Sequence, residues 1–163
     1  MEISQEKITL LEKRAKDLRK RTLEFSLETG LAHIGGCFSA IETFLALYDV
    51  ILKEEDKFIL SKGHACLPYF LLLRERGYNP HISGHPDIDP ENGIHCSTGS
   101  LGHGLPIAIG MALANKIKGK TGHFYVLMSD GEFEEGSTWE AMDLASTYNL
   151  NNVTVIVDYN KIQ

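Results

Sequence analysis

Residues 123–160 read HFYVLMSDGEFEEGSTWEAMDLASTYNLNNVTVIVDYN, and this stretch decides the fold. Residues 123–128, at one end, form a nearly continuous apolar run, which is typical of a strand buried on both faces. Residues 153–157, at the other end, form a second apolar strand that is rich in β-branched residues. The segment between them has helical character and is opened by Ser137 and Glu140 in a capping-box pattern. A strand, a helix and a second strand in this order form a parallel pair, because the helix carries the chain back across the sheet. We therefore predict an α/β domain with a parallel sheet flanked by helices.

Further elements extend this pattern towards the N-terminus. We predict a strand over residues 57–61 and helices over residues 4–28, 39–52, 64–77 and 105–118. Ser39 and Glu42 form a second capping box, at the start of the second helix. The first helix carries an apolar stripe, and we interpret the basic residues between positions 13 and 21 as its solvated face. Residues 79–104 are rich in proline, glycine and histidine and are predicted to form a long loop, which is usually either functional or disordered.

The composition is that of an ordinary globular domain and argues against several classes of protein. The chain has 163 residues and a net charge of −6, with 16 basic and 22 acidic residues, so nucleic acid is not an expected partner. We expect no membrane helix and no signal peptide, because no apolar run is long enough and the N-terminus is charged. The three cysteines form no CxxC pair and are interpreted as reduced thiols of a cytoplasmic protein. Trp139 is interpreted as a core residue.

Two oxygen-bearing side chains follow the two strands of the opening stretch. Asp130 comes just after the first strand and Asn160 just after the second. Because the carboxyl ends of parallel strands share one edge of a sheet, we expect these side chains to converge there. Oxygen ligands of this kind suit Mg²⁺ or Ca²⁺ with a phosphate group as a further ligand. Asp-Gly and Tyr-Asn are also common in turns, so the spacing alone leaves an ordinary turn as an equal alternative.

Several segments resemble, in the same order, the motifs of the transketolase family. The segment from Ser129 to Asn160 resembles its Gly-Asp-Gly…Asn thiamine diphosphate motif, and residues 135–142 resemble the transketolase version of the residues in between. The upstream matches are residues 32–36 (AHIGG), 60–64 (LSKGH), 83–86 (SGHP) and 97–104 (STGSLGHG). The chain thus resembles the N-terminal, thiamine-diphosphate-binding subunit of a split transketolase, and the fold implied is the diphosphate-binding domain of the thiamine-diphosphate-binding fold.

The resemblance implies where the cofactor and its metal would be held. Asp130 and Asn160 would bind Mg²⁺ (or Ca²⁺), with the carbonyl oxygen of Ile162 as a third protein ligand. Gly131 and His64 would contact the diphosphate. Ser129 stands where the family motif has glycine, and we expect it to be tolerated because that glycine has a packing role.

The resemblance also implies which residues would contact the cofactor ring, the substrate and the neighbouring subunit. Gly99 and Leu101 would lie against the aminopyrimidine ring. Glu135 would belong to a carboxylate network at the subunit interface. The histidines that would line the substrate channel and move protons are His33, His64, His85 and His103. Imidazole suits this work because its pKa lies near neutrality. The other histidines match no motif and are interpreted as solvated or locally satisfied, although His95 stands where relatives often carry an acid.

Residues 1–163 together are interpreted as one diphosphate-binding domain, without the pyrimidine-binding domain that completes such an enzyme. The resemblance implies that a second chain supplies this domain and the glutamate that activates the cofactor, in a hetero-oligomer such as a dimer of heterodimers. The chain ends earlier than family members do, and the sequence leaves open whether it is a truncated piece or a short split subunit.

The implied reaction is transfer of a two-carbon ketol unit between sugar phosphates. A related enzyme could instead pass a two-carbon unit from a ketose or a 2-oxo acid to a carrier. A hypothesis of another class is a non-catalytic binding module or degenerate paralogue. Retention of His33, His64, His85, Asp130 and Asn160 together argues against that hypothesis.

Overall fold

The centre of the molecule is a three-stranded parallel sheet. The computed structural model describes residues 3–161, and in it the strands are β1 (Lys57–Leu60), β2 (Phe124–Ser129) and β3 (Val153–Asp158), in that order across the sheet. The register pairs Leu60 with Leu127 and Ser129 with Asp158. All three strands therefore end at the same edge of the sheet, and the predicted α/β fold with its parallel sheet is confirmed.

Helices pack against both faces of this sheet. They are α1 (Gln5–Thr29), α2 (Ile34–Ser39), α3 (Ile41–Ala46), α4 (Cys66–Glu75), α5 (Gly104–Ile117) and α6 (Gly136–Thr147). A π-helical turn, Leu47–Ile51, continues α3. Short 3₁₀ turns lie at Gly63–Ala65, Pro90–Asn92 and Asp130–Glu134. The predicted second helix is thus interrupted, and the other predicted helices differ from the observed ones only at their ends.

Two apolar cores cover the two faces of the sheet at β1 and β2, which explains why these two strands are nearly continuous apolar runs, whereas no residue of β3 is fully buried. Phe58, Leu60 and Leu127 belong to the core beneath α1 to α4. Ile59 and Val126 belong to the core beneath α5 and α6, with other alternate strand residues. Because successive strand residues point to opposite faces, a strand between two helical layers needs apolar side chains at nearly every position.

The first helix is joined to the rest by charges as well as by its apolar stripe. Arg14 and Arg21 both form ion pairs with Glu75 of α4, and Arg19 pairs with Glu42 of α3. The interpretation of the basic run as a purely solvated face is therefore wrong for its three arginines. Their long side chains reach carboxylates on neighbouring helices, whereas the lysines of the run are exposed.

Neither predicted capping box forms. Ser39 is the last residue of α2, and α3 begins after Ala40 without a side-chain cap. Ser137 lies inside α6, where its hydroxyl donates to the carbonyl of Gly102. In both cases the serine hydroxyl bonds to a residue elsewhere in the fold, Asp158 for Ser39 and Gly102 for Ser137, instead of capping its helix. A capping box does occur at the turn after β2, where the side chain of Glu132 accepts from the backbone N–H of Ser129.

The loop of residues 79–104 is held in place by side chains of α4. Tyr69 donates its hydroxyl hydrogen to the carbonyl of Gly93 at 2.9 Å, and the thiol of Cys66 lies 3.3 Å from the carbonyl oxygen of Gly84. A short antiparallel bridge joins Asp89 to Ile94. The loop is therefore ordered. Of the two alternatives for a long loop, a functional loop fits this observation better than a disordered one.

The three cysteines are buried and unpaired, as the sequence suggested. Burial raises the pKa of Cys66 to about 12 and that of Cys96 to about 11, and it also raises the pKa of Cys37. Because the thiolate is the reactive form, none of these thiols is set up as a nucleophile at neutral pH.

One described segment is long and apolar enough to span a membrane, although we expected no such segment from the sequence. Residues 34–51 have a mean hydropathy of 1.5. The segment is divided into α2, α3 and the π-helical turn, and it contributes Ile41, Phe44 and Leu47 to the larger apolar core. Its apolar character is therefore accounted for by packing inside the domain.

Trp139 is not a core residue, so that interpretation is wrong. Its side chain is 58% exposed on α6, and its indole N–H donates to the carbonyl of Phe133 at 2.7 Å. The two rings meet edge to face at 5.8 Å between centroids. The indole therefore lies over the turn that follows β2 instead of beneath the sheet.

Candidate functional site

The carboxyl ends of β2 and β3 meet through Asp130. One carboxylate oxygen of Asp130 accepts from the backbone N–H of Lys161 at 2.7 Å, and the other accepts from the N–H of Gly131 at 3.2 Å. Asn160 immediately precedes Lys161 and is exposed. The two turns therefore meet at this edge, and the convergence of the Asp130 and Asn160 side chains stays a prediction. Ile162 lies outside the described residues.

The donor set at this edge fits a hard cation that also binds phosphate. Asp130 and Asn160 offer oxygen atoms, and Mg²⁺ and Ca²⁺ prefer oxygen ligands. Within residues 3–161 no group of three or more histidine, cysteine, aspartate or glutamate residues could hold a metal by itself. A metal at this edge would need further oxygen ligands, and Mg²⁺ commonly takes these from phosphate and water.

Three of the four predicted channel histidines lie together beside this edge. The ring centroid of His33 is 5.8 Å from that of His64 and 6.2 Å from that of His85. His33 has a φ of 27°, a sparsely populated backbone conformation for a residue with a side chain. Such strain is found most often at functional sites. His103 is exposed at the N-terminus of α5, and within the described residues no ring contact joins it to the other three.

The environment of His64 favours its neutral form. Burial lowers its pKa below the ordinary value of 6.5, and the nearby charge of Lys62 lowers the pKa further, as do His33 and His85. A neutral imidazole has one nitrogen that donates and one that accepts. His64 can therefore bind a hydroxyl group and take up its proton near neutral pH.

Lys62 is a site residue that the sequence reasoning missed. Its side chain is only 1% exposed, and its ammonium group forms an ion pair with Asp158 at the end of β3 and a 3.3 Å bond to the hydroxyl of Ser39. Burial opposes ionisation of Asp158, but the hydrogen bonds from Lys62 and Ser39 outweigh it and lower the pKa of that carboxyl. The available signal was the position of Lys62 in the matched segment 60–64, two residues before His64.

The loop of residues 97–104 lies tightly against the turn that carries His64. A Cβ atom on Gly63 would lie 2.8 Å from the backbone nitrogen of Gly99 and 2.9 Å from the carbonyl carbon of Thr98. Gly99 itself has a φ of 141° and faces the ring of His85. Within residues 3–161 the hydroxyl of Thr98 is buried without a hydrogen-bond partner. A buried hydroxyl of this kind can be satisfied by a bound polar group or by water.

Two further predicted site residues, Leu101 and Glu135, lie where this loop meets α6. Leu101 is half-buried and adjacent to Gly102, and Glu135 is exposed at the N-terminus of α6. A Cβ atom on Gly102 would meet the Cβ of Glu135 at 2.5 Å, so the loop and α6 are in close contact. Glu132, in the turn between them, is completely buried and was also missed by the sequence reasoning.

Gly63→Ala tests the close approach of the loop to the His64 turn. The added methyl group meets backbone atoms, which cannot rotate away, so we expect a loss of stability of about 1–3 kcal/mol in urea unfolding. Gly110→Ala on α5 is the matched control, because a Cβ there meets nothing within 4 Å. We expect this control to be neutral or to stabilise the chain by up to about 1 kcal/mol. Equal changes of stability in Gly63→Ala and Gly110→Ala would contradict the close contact between the loop and the His64 turn.

Comparison with known proteins identifies the family of this chain. The family model described as "Transketolase, thiamine diphosphate binding domain" matches residues 30–163. An apulose-4-phosphate transketolase subunit from Actinobacillus succinogenes is 38% identical, over 94% of this chain and 63% of the relative. A 6-deoxy-6-sulfo-D-fructose transketolase subunit from Clostridium sp. is 34% identical, over 94% of this chain and 63% of the relative. The chain thus spans less than two thirds of the length of these relatives.

Solved structures agree with the sequence comparison. The transketolase from Leishmania mexicana superposes with a TM-score of 0.84 at 27% identity, and the match covers 94% of this chain and 28% of that one. The transketolase from Campylobacter jejuni gives a TM-score of 0.83 at 26% identity. The matched family model and these superpositions lead to one conclusion: the chain belongs to the thiamine-diphosphate-binding domain family of transketolases.

Proposed function

We propose that this chain is the diphosphate-binding subunit of a split, thiamine-diphosphate-dependent transketolase that transfers a two-carbon ketol unit between sugar phosphates. The observation that carries the proposal is the contact between Asp130 and the Asn160–Lys161 turn, made beside the group of His33, His64 and His85. A metal-binding pair next to a set of proton-transferring groups is what this chemistry requires of the protein.

The residues present fit the cofactor and its metal. Asp130, Asn160 and the carbonyl of Ile162 would hold Mg²⁺ (or Ca²⁺). Gly131 and His64 would contact the diphosphate. Gly131 is buried, and its lack of a side chain lets backbone approach the phosphate closely.

The loop of residues 97–104 would take the aminopyrimidine end of the cofactor. Gly99 and Leu101 would lie against the ring. The unsatisfied hydroxyl of Thr98 in the same loop supports a polar ligand there. Bound thiamine diphosphate supplies the electron sink that allows a ketose to be cleaved between its second and third carbons.

The histidines would handle the substrate. His33, His64 and His85 would bind hydroxyl groups of a ketose and move their protons, and His103 would join them from the start of α5. The lowered pKa of His64 keeps that ring neutral and able to accept a proton near pH 7.

A second chain would complete the site with a pyrimidine-binding domain and the activating glutamate, in a dimer of heterodimers within the cytoplasm. Two observations support a partner on the α5–α6 side. Glu135, the proposed interface carboxylate, is exposed. Large apolar side chains are also exposed on these helices and just after α6, namely Ile107, Ile117, Trp139, Leu144 and Tyr148. Covering these side chains with a second chain would remove apolar surface from water.

The histidines and the names of two relatives support a sugar phosphate as the substrate. Two relatives are named for apulose 4-phosphate and 6-deoxy-6-sulfo-D-fructose, which are sugar derivatives. Several imidazoles in one cluster suit a polyhydroxylated ketose better than a 2-oxo acid, which offers few hydroxyl groups to bind. Transfer to a carrier from a ketose or a 2-oxo acid is the alternative within the same chemistry.

Native mass spectrometry of the protein purified from its own source with Mg²⁺ tests the proposal. We expect a complex with a second chain and added mass matching thiamine diphosphate and metal. A lone chain without cofactor would contradict the proposal and favour a non-catalytic module. A matched preparation with a chelating agent in place of Mg²⁺ should lose the cofactor mass and serves as the control.

A further inference from the structure

A buried carboxyl group connects the three segments that carry the site. The side chain of Glu132 is 0% exposed. One of its oxygens accepts from the hydroxyl of Ser61 at 2.5 Å and from the backbone N–H of Gly102 at 3.1 Å. The other oxygen accepts from the backbone N–H of Ser129 at 2.9 Å. One side chain thus satisfies donors from the end of β1, from the 97–104 loop and from the end of β2.

Each of these donors stands next to a residue of the proposed site. Ser61 precedes the turn that carries His64, and Gly102 follows Leu101. Ser129 directly precedes Asp130. The main chain of Glu132 adds a fourth connection, because its carbonyl accepts from the hydroxyl of Thr138 in the first turn of α6 at 2.6 Å.

This arrangement is not what stability alone would favour. No cation pairs with Glu132 among the ion pairs of residues 3–161, so hydrogen bonds alone compensate its burial. Burying a carboxyl group is costly, and apolar side chains of similar volume often serve a core equally well. What a carboxyl group adds is fixed geometry, since it accepts several donors at set distances.

We propose that Glu132 is a positioning residue that holds the His64 turn, the Leu101 loop and the Asp130 turn in the one arrangement that binds thiamine diphosphate with its metal. This inference rests on the proposed function. Glu132 acts through its neighbours, because its buried side chain is occupied by Ser61, Gly102 and Ser129 and does not reach the ligand itself.

Glutamine at position 132 is the sharpest test. A side-chain amide has one oxygen, so in either orientation its NH₂ group faces a backbone N–H, that of Gly102 or that of Ser129. We expect Glu132→Gln to bind thiamine diphosphate at least about tenfold more weakly in the presence of Mg²⁺, which corresponds to about 1.4 kcal/mol. The measurement is calorimetric titration of the full-length protein assembled with its partner, with the melting temperature of the ligand-free assembly recorded in parallel.

Glu134→Gln is the matched control, because Glu134 is exposed in the same turn. It should bind like the wild type. Normal cofactor affinity in Glu132→Gln, whether or not its melting temperature falls, would overturn the inference, since a purely structural role moves only the melting temperature. A wild-type assembly that binds no thiamine diphosphate would overturn the proposed function and the inference together.

Ser61→Ala covers the case in which Glu132→Gln does not fold. It removes one donor and leaves both backbone bonds to Glu132 intact, so we expect a folded protein with cofactor affinity between those of the wild type and of Glu132→Gln. Unchanged affinity in Ser61→Ala would count against the inference. When both variants fold, the double variant Glu132→Gln/Ser61→Ala should lose less binding free energy for the cofactor than the two single variants lose in sum. The reason is that both substitutions act through the same contact.

Discussion

Asp130→Ala is expected to abolish metal-dependent binding of thiamine diphosphate while leaving the fold intact. Altering a residue that merely supports a metal ligand commonly costs 10- to 100-fold in affinity, so loss of a ligand itself should cost at least about a hundredfold. The structural cost should be small, about 1 kcal/mol, because within residues 3–161 the carboxylate bonds only to backbone N–H groups near the surface. Calorimetric titration with and without Mg²⁺, together with urea unfolding, measures both quantities.

Asp143→Ala provides the control for Asp130→Ala. Asp143 is exposed on α6, and its replacement removes the same charge from the same part of the chain. This variant should retain cofactor binding. If Asp130→Ala kept its affinity and its dependence on Mg²⁺, the assignment of the metal site would be wrong.

Lys62→Met is expected to have the largest effect on stability. Removing one partner of a buried ion pair typically costs about 3–5 kcal/mol, because the other charge is left without compensation. Asp158 retains some contact with solvent, with 15% of its side chain exposed, so we expect a value near the lower end, about 3 kcal/mol in urea unfolding. The double variant Lys62→Met/Asp158→Asn should recover part of this loss, and Lys120→Met, at an exposed position, should lose almost nothing.

The same substitution should change the titration of His64. The charge of Lys62 contributes to lowering the pKa of His64, so its removal should move that pKa back towards 6.5, as followed by NMR. A lowered pKa means that, as the pH falls below 6.5, the unfolded chain binds a proton that folded His64 does not. Stability is then lost as the pH falls, and this loss should be smaller in Lys62→Met. An unchanged pKa of His64 would show that Lys62 does not influence the site electrostatically.

The sheet edge could be predicted from the sequence because its signals are local and continuous. The apolar runs that became β2 and β3 are long enough to identify strands, although only β2 is largely buried, and the parallel order then places Asp130 near the turn containing Asn160. The motif segments around His33, His64 and His85 supplied the rest of the site. Their proximity in space could not be derived from spacing, because the three lie on separate segments.

Lys62 and Glu132 could not be predicted, because their roles depend on distant partners. Lys62 pairs with Asp158, 96 positions away, and the side chain of Glu132 bonds to Ser61, 71 positions away. A charged residue in a sequence is normally a surface residue, and only the packed fold reveals such partners. The failed capping box at Ser39 has the same origin, since its hydroxyl donates to Asp158 at 2.5 Å instead of accepting from a backbone N–H at the start of a helix.

The exposed indole of Trp139 gives this protein a built-in optical probe. It is the single tryptophan in the chain, so its fluorescence can be assigned without mutagenesis. Its N–H bond to Phe133 couples it to the Asp130–Glu134 turn, and its exposure on α6 makes it sensitive to any chain that covers that helix. Desolvation by a second subunit should shift the emission to shorter wavelength, whereas ligand binding at the turn should mainly change its intensity. Assembly and loading could therefore be followed separately, in one cuvette, without a label.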